Sequence, residues 1–134
     1  MKVVIQGAGE VGSHLAKMLR GEGNEVTVID DNPERLANLA SSADILTIDG
    51  NPTAISILRS AEAGKADLFI AVYPSAQQQM NIVGALLAKH LGAAKVIARI
   101  NDEEFLTPEN KLLFKEMGIE LMFYPREDSS RRDS

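Results

Sequence analysis

Apolar residues fall along this chain in two alternating rhythms. Short runs stand at residues 2–6 (KVVIQ), 25–30 (EVTVID), 44–48 (DILTI), 67–72 (DLFIAV), 95–99 (KVIAR) and 120–123 (ELMF). Most carry β-branched residues, and all are too short for helices, so each predicts a strand. Between them the apolar positions recur at helical spacing. Val11, Leu15, Met18 and Leu19 stand at i, i+4, i+7 and i+8, on a helix that ends near Gly21 and Gly23. Asn32-Pro33-Glu34 supplies an N-cap, a first-turn proline and an early acid ahead of Leu36 and Leu39. Asn51-Pro52 precedes Ile55 and Leu58 in the same manner. Val83, Leu86, Leu87 and Leu91 mark a fourth helix that stops at Gly92. Thr107-Pro108-Glu109 opens a fifth, with Leu113, Phe114 and Met117 expected inward and Gly118 after it.

The order βαβαβαβαβαβ predicts an α/β fold of Rossmann type, a doubly wound and mainly parallel six-stranded sheet with helices on both faces. One domain over residues 1–125 accounts for it, and no internal repeat appears beyond the βα unit. Residues 126–134 (REDSSRRDS) carry no apolar side chain and are expected to form a flexible tail or a linker remnant of a longer protein.

Composition narrows the function classes. Nineteen acids against fourteen bases give a net charge of −5, which argues against a nucleic-acid surface. The absence of cysteine removes disulfides and thiolate chemistry and fits a cytoplasmic setting. No apolar run reaches the roughly 20 residues that span a bilayer, so direct membrane insertion is not expected.

Gly7-Ala8-Gly9-Glu10-Val11-Gly12 follows one predicted strand and opens the first helix. In that setting Gly7 serves the tight turn, Gly9 lets backbone approach a pyrophosphate, and Gly12 brings the helix close to the sheet. The amides and dipole at the helix start then attract phosphate. Asp30 ends the next strand, where an acid accepts hydrogen bonds from ribose hydroxyls. Asp30, Asp31 and Asn32 could each instead cap the following helix, and Asn32 suits that task best. The adjacent acids Asp30 and Asp31 should repel a 2′-phosphate and so disfavour NADP. NAD(H), AMP, ADP and ATP all keep the free 2′-hydroxyl that Asp30 would read.

No catalytic set accompanies this turn. His14 and His90 each stand alone on a helix, and Asp102, Glu103 and Glu104 read as a solvated helix start. The expectation is therefore a nucleotide bound as a signal rather than an enzyme. Two other readings fit the alternating pattern. One is the cofactor-binding fragment of an NAD-dependent oxidoreductase, which would need a substrate domain beyond Ser134. The other is a phosphoacceptor receiver domain, disfavoured because Gln6 rather than an acid ends the first strand.

The segments MKVVIQGAGEVG, VTVIDDNPERL, TIDGNPT, ADLFIAVYPS, MNIVGALLAK and IARIND together resemble the N-terminal nucleotide-binding (RCK) domain of the TrkA regulatory subunits of Trk-type potassium transporters. The likeness runs from Met1 to about Pro125. It implies a domain that binds NAD(H), or ATP/ADP, and forms a homo-oligomer (dimer or tetramer). It also implies a place on the cytoplasmic side of the membrane, through an integral-membrane potassium transporter subunit. By position, Gly7, Gly9 and Gly12, with Ala8, Glu10 and Val11 between them, would form the phosphate side of the site. Asp30, with Asp31 beside it, would take the ribose, and Gly50 and Asn51 the adenine edge. Val72 and Tyr73 would lie over the nucleotide. Arg99 would reach either phosphate or a neighbouring subunit.

The chain departs from the family in four places, one of them Pro74–Gln79 (PSAQQQ), which is longer and less acidic than usual. An acid usually follows the glycine at position 50, and Asn51, a neutral residue, could be only a helix cap. Triphosphate binders of the family tend to have a base where Glu10 stands, which favours NAD(H). Such subunits also carry a further ligand-binding domain, so the chain is expected to be part of a longer protein. Leu121, Met122 and Phe123 suit either the core or an interface.

Overall fold

The computed structural model describes residues 1–41 and 44–125; the tail expected at residues 126–134 lies outside them. The six runs form strands β1 (Lys2–Gln6), β2 (Glu25–Asp30), β3 (Leu46–Asp49), β4 (Leu68–Ala71), β5 (Lys95–Ile100) and β6 (Ile119–Phe123). Helices α1 (Glu10–Gly21), α2 (Pro33–Ala40), α3 (Ile55–Ser60), α4 (Gln78–Leu91) and α5 (Pro108–Glu116) connect them. Every strand pair is parallel, and the order is β3-β2-β1-β4-β5-β6. This is the Rossmann order, with its reversal between β1 and β4.

Alternation along each strand separates two cores. Val3 and Ile5 of β1 join Ala16, Leu36 and Leu39 from α1 and α2 on one face. Val4 faces the other way, with Phe69, Leu58, Ala85 and Ala88, beneath α3 and α4. Phe114 and Met117 bring α5 onto the same face as α4. Local signals set the starts of α2 and α5 as expected. The Asn32 side chain accepts from the amides of Glu34 and Arg35, and Thr107 accepts from that of Asn110.

Several apolar positions differ from the expected stripes. The buried face of α4 is Gln78, Asn81, Gly84, Ala85 and Ala88, whereas Val83 is exposed and Leu86, Leu87 and Leu91 flank it half-buried. In α1 the fully buried positions are Gly12 and Ala16, and Met18 is exposed. Small residues let a helix lie close to the sheet, so the longer side chains spread to either side of the contact line. Leu113 points outward, and so does Leu112, because α5 meets the sheet near its edge and only Phe114 and Met117 reach the core. Ile55 is likewise exposed while Leu58 is fully buried.

Candidate nucleotide site

The site is assembled at the carboxyl ends of β1, β2 and β4. The chain leaves β1 at Gly7, whose φ of +114° lies in the region that favours glycine. A Cβ at Gly7 would also stand 2.9 Å from Cδ1 of Tyr73, so the residue is small for two reasons. At Gly12 a Cβ would run into the carbonyl oxygen of Gly7, and Cγ2 of Val72 lies just below, so α1 can turn back only over glycine. Gly9 has no heavy atom within 4 Å of where a Cβ would be. It is also the N-cap of α1 and offers no side-chain hydrogen bond, which leaves the first amides of that helix open to an anion. Glu10 is exposed beside them, and Val11 packs against the core.

Asp30 ties this turn to β2. It is fully buried. One carboxylate oxygen accepts from the Ala8 amide at 2.7 Å and the other from the Asn32 amide at 2.8 Å. The Arg35 guanidinium stands 3.7 Å away and offsets part of the buried charge. Asn32, not Asp30, caps α2, so the acid remains with the glycine turn.

Tyr73 crosses the same place from β4. It is fully buried, with its ring against Gly7. Its hydroxyl accepts from the Asp31 amide and donates to the Asp31 carboxylate, both at 3.1 Å. Burial first, then the neighbouring charges of Asp30 and Asp31, hold the phenol well above its usual pKa range, against the opposing pull of the Asp31 amide. The backbone of Tyr73 is fixed by Asn81. That side chain accepts from the Tyr73 amide at 2.8 Å and donates to the carbonyls of Tyr73 and Arg99 at 3.0 Å each. Asn81 thus supports the candidate site through the Tyr73 backbone, and periodicity conceals it because it occupies a core position of a helix; the polar Gln78 and Asn81 ahead of an apolar run are its one sequence signal.

The other expected residues lie around this centre. The side chain of Val72 belongs to the core beneath α1. Gly50 donates its amide to the Asp30 carbonyl, and a Cβ there would press on the flexible end of the Ile57 side chain. Asn51 caps no helix: α3 begins at Ile55 with Ala54 as its N-cap, and the Asn51 oxygen instead accepts from the amide and hydroxyl of Thr53. Arg99 is buried at the end of β5, its guanidinium carbon 4.8 Å from the ring centre of Tyr124. A concavity of about 850 Å³ along α5, β5 and β6 shares no residue with the glycine turn. Among the described residues no group of acids and histidines is placed to hold a metal ion.

A family model described as TrkA-N domain matches residues 3–125. The chain belongs to the TrkA-N domain family. This TrkA-N domain is 34% identical over 125 residues to a Trk system potassium uptake protein TrkA homolog of Methanothermobacter thermautotrophicus, covering 93% of the chain and 55% of that relative. It is 36% identical over 117 residues to the Trk system potassium uptake protein TrkA of Haemophilus influenzae, covering 87% of the chain and 25% of the relative. The domain thus spans about half of one relative and a quarter of the other. Its fold is shared with the TrkA-N domain of the inner membrane protein ybaL from Escherichia coli, at a TM-score of 0.75, 20% identity and coverage of 98% and 92%. The GsuK channel bound to NAD gives a TM-score of 0.71 at 19% identity over 90% of the domain and 21% of that chain. The Kef C-terminal domain of Shewanella denitrificans in its AMP-bound form gives 0.69 at 22% identity, over 97% and 75%.

Proposed function

We propose that this TrkA-N domain is the nucleotide-sensing part of a Trk-type potassium uptake system. In this reading it binds NAD(H) first and ADP or ATP as alternatives, and passes the state of its site to a membrane transporter subunit on the cytoplasmic side. The observation that carries the reading is the clasp between the Ala8 amide and Asp30 at the mouth of an uncapped α1. It sets an anion-binding helix start beside a carboxylate, the pairing that a pyrophosphate and its ribose require. Each Asp30 oxygen already accepts one amide, yet a carboxylate offers about four acceptor positions, so two remain for the ribose hydroxyls. Glu10 beside the helix start opposes a γ-phosphate, which supports a dinucleotide over ATP. The solved relatives with NAD and AMP support the same ligand class.

The role is regulatory. A ligand shifts a transporter only by its difference in affinity for two arrangements of the assembly. Copies of the chain would supply those arrangements, and the exposed Leu112 and Leu113 on α5 offer an apolar patch for one copy to meet another. Light scattering of the wild type and Leu113→Glu tests this: an assembly that Leu113→Glu dissolves is expected, and a strict monomer overturns it. Calorimetry with NADH, NAD, ADP and ATP tests the site. Binding tighter than millimolar that fails in Gly9→Val is expected, and no heat with any of the four removes the reading. Steady oxidation of NADH by the purified chain would replace it with an enzyme.

A further inference from the structure

Asp30 has no exposed surface, so a ribose cannot touch it in this conformation. Beside it lies Tyr73, itself fully buried between the glycine turn and Asp31. Its ring starts against Gly7, on the phosphate side, and its hydroxyl ends on the amide and carboxylate of Asp31, on the ribose side. The phenol therefore spans the clasp that joins the glycine turn to Asp30. Its hydroxyl bonds to Asp31 as a sugar hydroxyl could, donating to a carboxylate and accepting from an amide.

Granted the nucleotide reading above, on which it rests, we propose that Tyr73 is an internal occupant of the ribose position and that a nucleotide enters only when this side chain turns out. The motion is a side-chain rotation. Asn81 holds both the amide and the carbonyl of Tyr73, so the backbone stays while the ring leaves. Opening uncovers Asp30 and frees Asp31. The helix start and the Gly9 side of the turn need no rearrangement, since the half-buried Gly9 has open space where a side chain would stand. Closure is held by two hydrogen bonds and the burial of the ring. Apparent affinity is then the affinity of the open form reduced by the fraction that is open. Tyr73 would thus set how much nucleotide the domain needs before it responds.

The test uses the chain labelled with 3-fluorotyrosine. Its two tyrosines are Tyr73 and the exposed Tyr124, and Tyr124→Phe assigns them. The solvent isotope shift of each fluorine reports exposure to water. The Tyr73 signal is expected to show no shift in the free protein and a shift approaching that of Tyr124 at saturating NADH or ADP. Calorimetry supplies the second arm. Tyr73→Phe keeps the ring and loses both bonds to Asp31, so it should tighten NADH and ADP about five- to tenfold, and Tyr73→Ala at least as much. If nucleotide binds while the Tyr73 fluorine stays shielded, or if Tyr73→Phe binds no more tightly than wild type, the gate is wrong and the nucleotide reading stands. Absence of binding to the wild type and to both variants would sink that reading and the gate with it.

Discussion

Two glycines of one turn separate folding from binding. A methyl at Gly12 collides with the backbone carbonyl of Gly7, which has no flexible end to move aside. Gly12→Ala should therefore cost about 3 kcal/mol, read as a lower urea midpoint at unchanged slope. A methyl at Gly9 meets nothing within 4 Å, and φ of −73° there suits alanine. Gly9→Ala should unfold like the wild type and lose NADH affinity in calorimetry, because the methyl takes space the phosphates need. Asp30→Asn should do both. An amide side chain has one accepting oxygen where the carboxylate has two, so the Ala8 or the Asn32 amide loses its partner. The expected loss is about 1–3 kcal/mol in urea unfolding. The glycines and Asp30 were legible in the sequence because a strand, a turn and a helix start within a few residues leave a local signature. The position of the Tyr73 ring was not. It depends on Asp31, 42 residues away, and on strand neighbours that only the folded sheet supplies.

At the scale of elements, α4 shows why the helix faces were harder to read than the helix ends. Caps and prolines act within one turn of chain, so Asn32, Thr107 and Gly92 could be read directly. Which face is buried depends on how near the helix lies to the sheet. Gly84, Ala85 and Ala88 bring α4 close, which puts Asn81 in the interior and turns Val83 outward. Asn81 then works as a bracket between β4, α4 and β5, through three bonds to Tyr73 and Arg99. Asn81→Leu is nearly isosteric but leaves one buried amide and two carbonyls without those bonds. It should cost about 3 kcal/mol and broaden the Tyr73 resonances, whereas Val83→Ser on the exposed side should leave urea unfolding within about 0.5 kcal/mol of wild type.

At the scale of the whole molecule, the strand order makes the site. Right-handed crossovers carry α1 and α2 to one face and α3, α4 and α5 to the other, so the connections part above β1 and β4. The alternating sequence pattern was enough to read a doubly wound, mainly parallel six-stranded sheet, and the strand order within it comes from the structure. The same topology couples the tyrosine in that crevice to global stability at alkaline pH. A phenol titrates from 10.0 in the unfolded chain, and in the fold burial and the charges of Asp30 and Asp31 raise it. The folded state thus binds more protons above that pH, and the stability Tyr73 contributes is full below pH 10.0 and falls as pH rises. Lys2 adds a loss of the same sign, because its bonds to Glu25 and then Glu62 raise it from 10.5. The difference between wild type and Tyr73→Phe isolates the phenol, with an expected slope of about 1.4 kcal/mol per pH unit above its unfolded value. Saturating NADH should flatten that difference, since an outward Tyr73 titrates alike in both states. Urea unfolding between pH 9 and 11, with and without NADH, measures it; a difference that survives the nucleotide would place the ring back over Asp30 in the bound form.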